Sequence, residues 1–225
     1  MRHFQTILAC ILAFSGLVSY GASGDPAHPS REVRGQVIFS KALPAIEIHV
    51  AEGFTFVGAF DFKIRDAASG TRYIFADADE NFQIRRLIIA QFEAFLPDSG
   101  QTYRYDLSSG ELMAGYRFRG NPYAFSNLEA KTRNPEGEAA CTARFLAAKG
   151  FRFNDLWRMY RWLTVPDQSK RHELILFYVE PEPDPAKTIG DFYTPAGLMK
   201  PYWDALARTM KDASRNAWTL KPLSH

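Results

Sequence analysis

The stretch from Phe54 to Arg65, FTFVGAFDFKIR, decides the fold. Phe54, Phe56, Phe60, Phe62 and Ile64 alternate with Thr55, Val57, Ala59, Asp61, Lys63 and Arg65. A helix would scatter these rings around its circumference, whereas a strand gives them one face; period-two alternation therefore predicts a β-strand with its aromatic side on a core. The run from Asp66 to Gly70 has turn composition and Thr71 to Ala76 continues it, so residues 54–76 are predicted to form a β-hairpin.

Working outward, Val33 to Phe39 and Ile46 to Val50 read as short strands, the second with Ile46, Ile48 and Val50 on one face. The segment from Gln83 to Leu96 is apolar on both alternating sets, which is the pattern of a central strand covered on both sides. Arg171 to Glu180, RHELILFYVE, has the same character, and Leu156 to Val165 precedes it as a partner strand. Between these, Thr102 to Leu107 sets Tyr103, Tyr105 and Leu107 on one face. Residues 111–127 are broken by Gly115, Gly120 and Pro122 and read as an irregular excursion fit for a binding lip. Asn134-Pro135-Glu136 carries the signature of a helix start, and Gly150 that of its end. A second, amphipathic helix begins at Pro201, with Tyr202, Leu206, Met210, Ala213 and Ala217 at helical spacing. These elements predict a single α+β domain: a curved antiparallel sheet of seven to nine strands packed by a mid-chain helix and a C-terminal helix. A small closed β-barrel is the alternative. The Gly-x-Trp expected near the first strand of lipocalins is absent, so the chain is not assigned to that family.

The organisation along the chain follows. Residues 1–24 have a positive start at Arg2, an apolar run from Ile7 to Val18 and small residues from Ser19 to Gly24, the layout of a cleaved secretory signal peptide, with cleavage expected between Gly21 and Asp25. Residues 25–31 are a polar lead-in, 32–180 the sheet domain, 181–196 a Pro-rich surface linker, and 197–225 a helix and tail packed on the same domain. The expected location is secreted or periplasmic, with no membrane span in the mature chain. Removing residues 1–24 takes Arg2 and no acidic residue, so the formal charge falls from +2 to +1 and gives no electrostatic reason to seek nucleic acid. It also takes Cys10, leaving Cys141 as a lone thiol that cannot form an internal disulfide and whose neighbours favour burial.

Chemistry is sparsely marked. The chain has no Gly-x-Ser-x-Gly elbow, no phosphate loop, no dinucleotide fingerprint and no Cys-x-x-Cys, so no cofactor is implied. The acidic run Asp77 to Asn81 starts like a calcium loop but has Phe82 and Ile88 where that loop needs glycine and glutamate, so it reads as a turn. His49, His172 and Glu93 are too dispersed to define a metal site. Glu93, on a central strand, is the candidate acid or base, with His172 or Arg171 as its partner. The competing role is a cross-strand ion pair of Glu93 or Glu173 with Arg86, Arg158 or Arg171. Aromatic residues interleaved with arginines are the stronger signal: Arg158, Tyr160 and Trp162 share a strand face, and Tyr103 and Tyr105 flank Arg104. Such a surface suits a small apolar or amphiphilic ligand with an arginine meeting its acidic group. The leading expectation is thus an exported, non-catalytic binder. The alternatives are an enzyme using Glu93 with His172, and a protein-interaction module using 111–127 or 181–196.

Overall fold

The computed structural model describes residues 30–223; the signal-peptide reading of 1–24 lies outside them. Among the described residues, eleven strands form two antiparallel sheets rather than one. The smaller sheet joins β1 (Arg31–Arg34), β2 (Val37–Ser40), β3 (Ile46–Val50) and β11 (Trp218–Pro222) in that order. The larger holds seven strands in the order β4 (Thr55–Ile64), β5 (Ala68–Ala78), β6 (Ile84–Phe95), β10 (His172–Pro181), β9 (Leu156–Thr164), β8 (Tyr116–Ser126) and β7 (Glu111–Met113). β4 and β7 are its free edges, so the sheet is not a closed barrel. β6 and β10, apolar on both faces in the sequence, lie at its interior as expected.

The small sheet and helix α3 (Pro201–Ala217) cover one face of the large sheet. Ile38, Ile46, Ile48 and Val50 meet Tyr73, Phe75, Ile88, Phe92, Leu174 and Leu176 there, and Trp203 and Met210 of α3 complete the layer. Helices α1 (Asn127–Arg133) and α2 (Glu138–Ala148) lie on the opposite face, where Leu146 packs with Ile74, Leu87, Ile89 and Leu163. Cys141 is buried in α2. No described helix is long and apolar enough to cross a membrane.

Five expectations change. The organising strand is an edge strand, and its rings do not share one face. A β-bulge shifts the register between Phe56, opposite Phe75, and Gly58, opposite Ile74. The extra residue inverts the phase. Phe56 therefore contacts Phe75 in the small-sheet layer, while Phe60 contacts Phe145 of α2, each at 5.0 Å between ring centroids. Gly58, at φ 138°, provides a backbone conformation that a side chain would strain.

Residues 116–126 are an unbroken strand, not an excursion. Gly120 sits opposite Trp162 and Pro122 opposite Tyr160, and a Cβ at Gly120 would fall 2.8 Å from the Tyr160 ring, so the glycine makes room for rings on the neighbouring strand. Asn134 ends α1 instead of starting the next helix: the Ser126 hydroxyl accepts from Glu129 N at the start of α1, the Asn134 N–H bonds back to Ala130, and α2 begins after Gly137. Residues 101–107 have no regular secondary structure and pair with no strand. Within 181–196, Phe192 is fully buried.

Candidate functional site

Strand register brings the titratable groups together. Glu93 on β6 lies directly opposite Glu173 on β10, and Gln91, two residues earlier, lies opposite Arg72 on β5. Alternation places Arg72, Gln91, Glu93 and Glu173 on the face that α2 covers. All four are buried. Side chains directly opposed in an antiparallel pair have Cβ atoms roughly 4.5–5.5 Å apart, so two glutamates are held together out of water.

The surrounding groups form a connected network. Tyr103 Oη donates to Glu93 Oε1 at 2.5 Å, and Gln91 Nε2 is 2.9 Å from Glu93 Oε2 and 2.6 Å from Glu138 Oε1. Arg72 donates to Gln91 Oε1 at 2.6 Å, to the Thr142 hydroxyl at 2.6 Å and to the Glu138 carbonyl at 2.9 Å, which fastens the first turns of α2 to the sheet. The Tyr105 hydroxyl bonds Glu173, beside which stands the positive charge of Arg161, itself hydrogen-bonded to Tyr123. The rings of Tyr103 and Tyr105 stack with centroids 6.0 Å apart. Glu173 Oε1 is buried without a hydrogen-bond partner.

The electrostatic result is a proton-hungry pair. Burial, then the neighbouring charge of Glu138, pushes Glu93 up to about 7 against the hydrogen bonds of Tyr103 and Gln91 and the charge of Arg72. Burial and then the charge of Glu93 raise Glu173 well above the carboxylate range, outweighing Arg161 and Tyr105. Burial and Glu93 likewise raise the Tyr103 phenol. Such a pair titrates as a unit.

His172 is not part of this network. It lies opposite Ala94, one position out of phase with Glu93 and Glu173, so it takes the small-sheet face and meets Asp167 at 3.2 Å. Arg171 donates to the carbonyls of Phe95, Leu96 and Pro97. Arg86 pairs with Asp77 at 2.5 Å, and Arg158 with Glu180 at 3.0 Å and Glu182 at 3.2 Å. None of the partners expected for Glu93 or Glu173 reaches them. The cations that do, Arg72 and Arg161, went unnoticed. The legible signal was Arg72 as the lone charge inside Thr71 to Ala76, a place where a charge requires a partner.

The five aromatic and arginine candidates are divided between the two faces. Arg158, Tyr160 and Trp162 share one, as expected, but it is filled: Trp162 is 1% exposed, its Nε1 donates to Ser214 of α3 at 2.8 Å, and Lys211 and Arg215 each lie 5.6 Å from its ring. Tyr103 and Tyr105 serve the glutamate pair on the other side. His49 belongs to the small sheet and bonds Glu47 at 2.8 Å. No cluster of three potential metal ligands occurs among the described residues.

Open space occurs elsewhere on the small-sheet face. A half-open cleft of about 370 Å³ is lined by Arg31, Asp61, Lys63, Thr71, Phe92 and His172, among others. Arg31 stands 4.2 Å over the Phe92 ring and is held by the Ser40 hydroxyl at 3.2 Å and the Leu43 carbonyl at 3.0 Å. Asp61 accepts from the Thr71 hydroxyl at 2.7 Å. Comparison with protein-family models, curated proteins and solved structures finds no match to this chain.

Proposed function

We propose that the protein binds a small amphiphilic molecule with an acidic group, in the cleft between β1 and the β4–β5–β6–β10 end of the large sheet. Arg31 carries the reading. Its guanidinium is fixed by two hydrogen bonds over an aromatic ring, so a cation and an apolar wall are preorganised side by side at the cleft. Lys63 adds a second positive charge beside the carboxylate of Asp61, and the volume of about 370 Å³ falls in the range of roughly 300–1,000 Å³ usual for small-ligand sites. The site thus moves from the Arg158–Tyr160–Trp162 strip to the other end of the same face, while the ligand class stays the one expected. With residues 1–24 as an export signal, binding takes place in the envelope or outside the cell.

Calorimetric titration with anilinonaphthalene sulfonate, an aromatic anion, tests the site. One-to-one binding is expected, with Arg31→Ala and Phe92→Leu each weakening it about tenfold and Lys221→Ala on the distant β11 leaving it unchanged. Unchanged affinity in Arg31→Ala, or no binding to the parent protein, overturns the assignment.

A further inference from the structure

The opposite face of the large sheet carries a buried carboxylate pair, one of whose residues, Glu93, also borders the cleft. Glu93 and Glu173 face one another across β6 and β10, and their cover consists of the 101–107 segment and α2. Each glutamate is held by a tyrosine of that segment, Tyr103 on Glu93 and Tyr105 on Glu173. α2 is held through Glu138 and Thr142 to Gln91 and Arg72. The charged groups facing the pair are Arg72 from β5, Arg161 from β9 and Glu138 from α2. The neutral polar ones are Gln91 from β6 and the two tyrosines. Three carboxylates thus meet two guanidiniums, and one proton on the pair balances the cluster.

We propose that the Glu93–Glu173 pair is a proton-operated latch: with a proton on it, the tyrosine segment and the α1–α2 cover are closed on the sheet, and losing that proton loosens them. The glutamates sit on interior strands and cannot separate, so repulsion between two ionised carboxylates is relieved only by letting water in, and the cover is what stands between them and water. Tyr103 and Tyr105 each reach the pair from a segment that pairs with no strand. On the opposite face the buried carboxylate of Glu182 is paired with Arg158. There Trp162 and its neighbours are sealed by α3 and the small sheet, and they do not answer to this proton.

Hydrogen exchange of the full chain, expressed as protection factors at about pH 5 and about pH 8.5, reads the latch. The Tyr103 amide, which donates to the Lys170 carbonyl, and the amides of α2 are expected to lose protection about tenfold or more at the higher pH, while those of α3 hold theirs. Glu93→Gln removes one charge and supplies an amide for the unpartnered Glu173 Oε1, so its cover is expected to stay protected at both pH values. Equal protection in the parent protein, or the same loss in Glu93→Gln, overturns the latch. Should that variant not fold, infrared titration of the parent protein decides: a buried protonated-carboxyl band that persists toward neutrality and vanishes as the cover opens supports it, and the absence of such a band rejects it.

Discussion

The two faces of the seven-stranded sheet are built from the same strands and do different work. On the small-sheet side, alternate residues of β6, β10 and β9 present Ile88, Ala90 and Phe92, then Leu174, Leu176 and Tyr178, then Tyr160 and Trp162 to a second apolar layer. On the α2 side the same strands present Gln91 and Glu93, then Glu173, then Arg161, beside a smaller apolar cluster. A one-residue step along any of these strands crosses from one regime to the other. The first face gains chiefly from apolar burial, and its buried Arg158 is paired with Glu180 and Glu182 at the margin. The second must satisfy every charge it buries, which makes its stability conditional.

Truncating the first face gives the largest expected effect. Trp162→Ala removes a fully buried indole and the hydrogen bond that its Nε1 donates to Ser214, and should cost about 4 kcal/mol in urea-induced unfolding. A loss below about 1 kcal/mol would mean that the Arg158–Tyr160–Trp162 strip is not core, and would return it to consideration as a ligand surface.

On the second face the expected effect is a pH slope. Glu93 has an ordinary value of 4.5 and is raised to about 7, so the native state keeps a proton that the unfolded chain releases between those values. Its contribution is therefore complete below about 4.5 and is lost as pH rises through about 7. The shift corresponds to roughly 3 kcal/mol, and Glu93→Gln should flatten the fall by an amount of that order. Denaturant unfolding of both proteins from about pH 4.5 to pH 8.5 measures it, and parallel curves would show that Glu93 does not hold the proton.

How far these faces could be read from the residues depends on the range of the interaction concerned. The interior placement of β6 and β10 was legible because their apolar residues occupy both alternating sets, and α3 because Pro201 starts an amphipathic repeat. Glu93 stood out as a carboxylate on such a strand, and Tyr103 and Tyr105 as rings on one side of a segment. Their meeting was not legible, since Glu93 faces Glu173 only through a register fixed by strand pairing eighty residues apart. The same holds for Arg72, tied to α2 at a separation of 70 residues in the bond to Thr142. Phase was the other hidden quantity. Nothing in FTFVGAFDFKIR marks the bulge except Gly58, and that single inserted residue sends Phe56 and Phe60 to opposite sides. β11 was also missed: after seventeen helical residues, Trp218 to Pro222 is short and offers little alternation of its own, and it becomes a strand because β3 has a free edge there.

The smallest expected effect tests how tightly the apolar face is filled. Gly120 has an ordinary backbone conformation, so replacing it with alanine introduces volume without strain in φ. The added methyl would lie 2.8 Å from both Cε1 and Oη of Tyr160 and 3.0 Å from Cζ3 of Trp162. Contacts that short force a ring to move. Trp162 is pinned by Ser214 and by the cations of Lys211 and Arg215, so the Tyr160 ring must yield, and overpacking of this kind costs about 2 kcal/mol. The double variant Gly120→Ala with Tyr160→Leu should recover part of that loss, because it removes the ring that the methyl strikes. If Gly120→Ala alone is neutral in thermal unfolding, the face has slack beside Tyr160, and the contrast between a sealed face and a responsive one narrows to the glutamate pair itself.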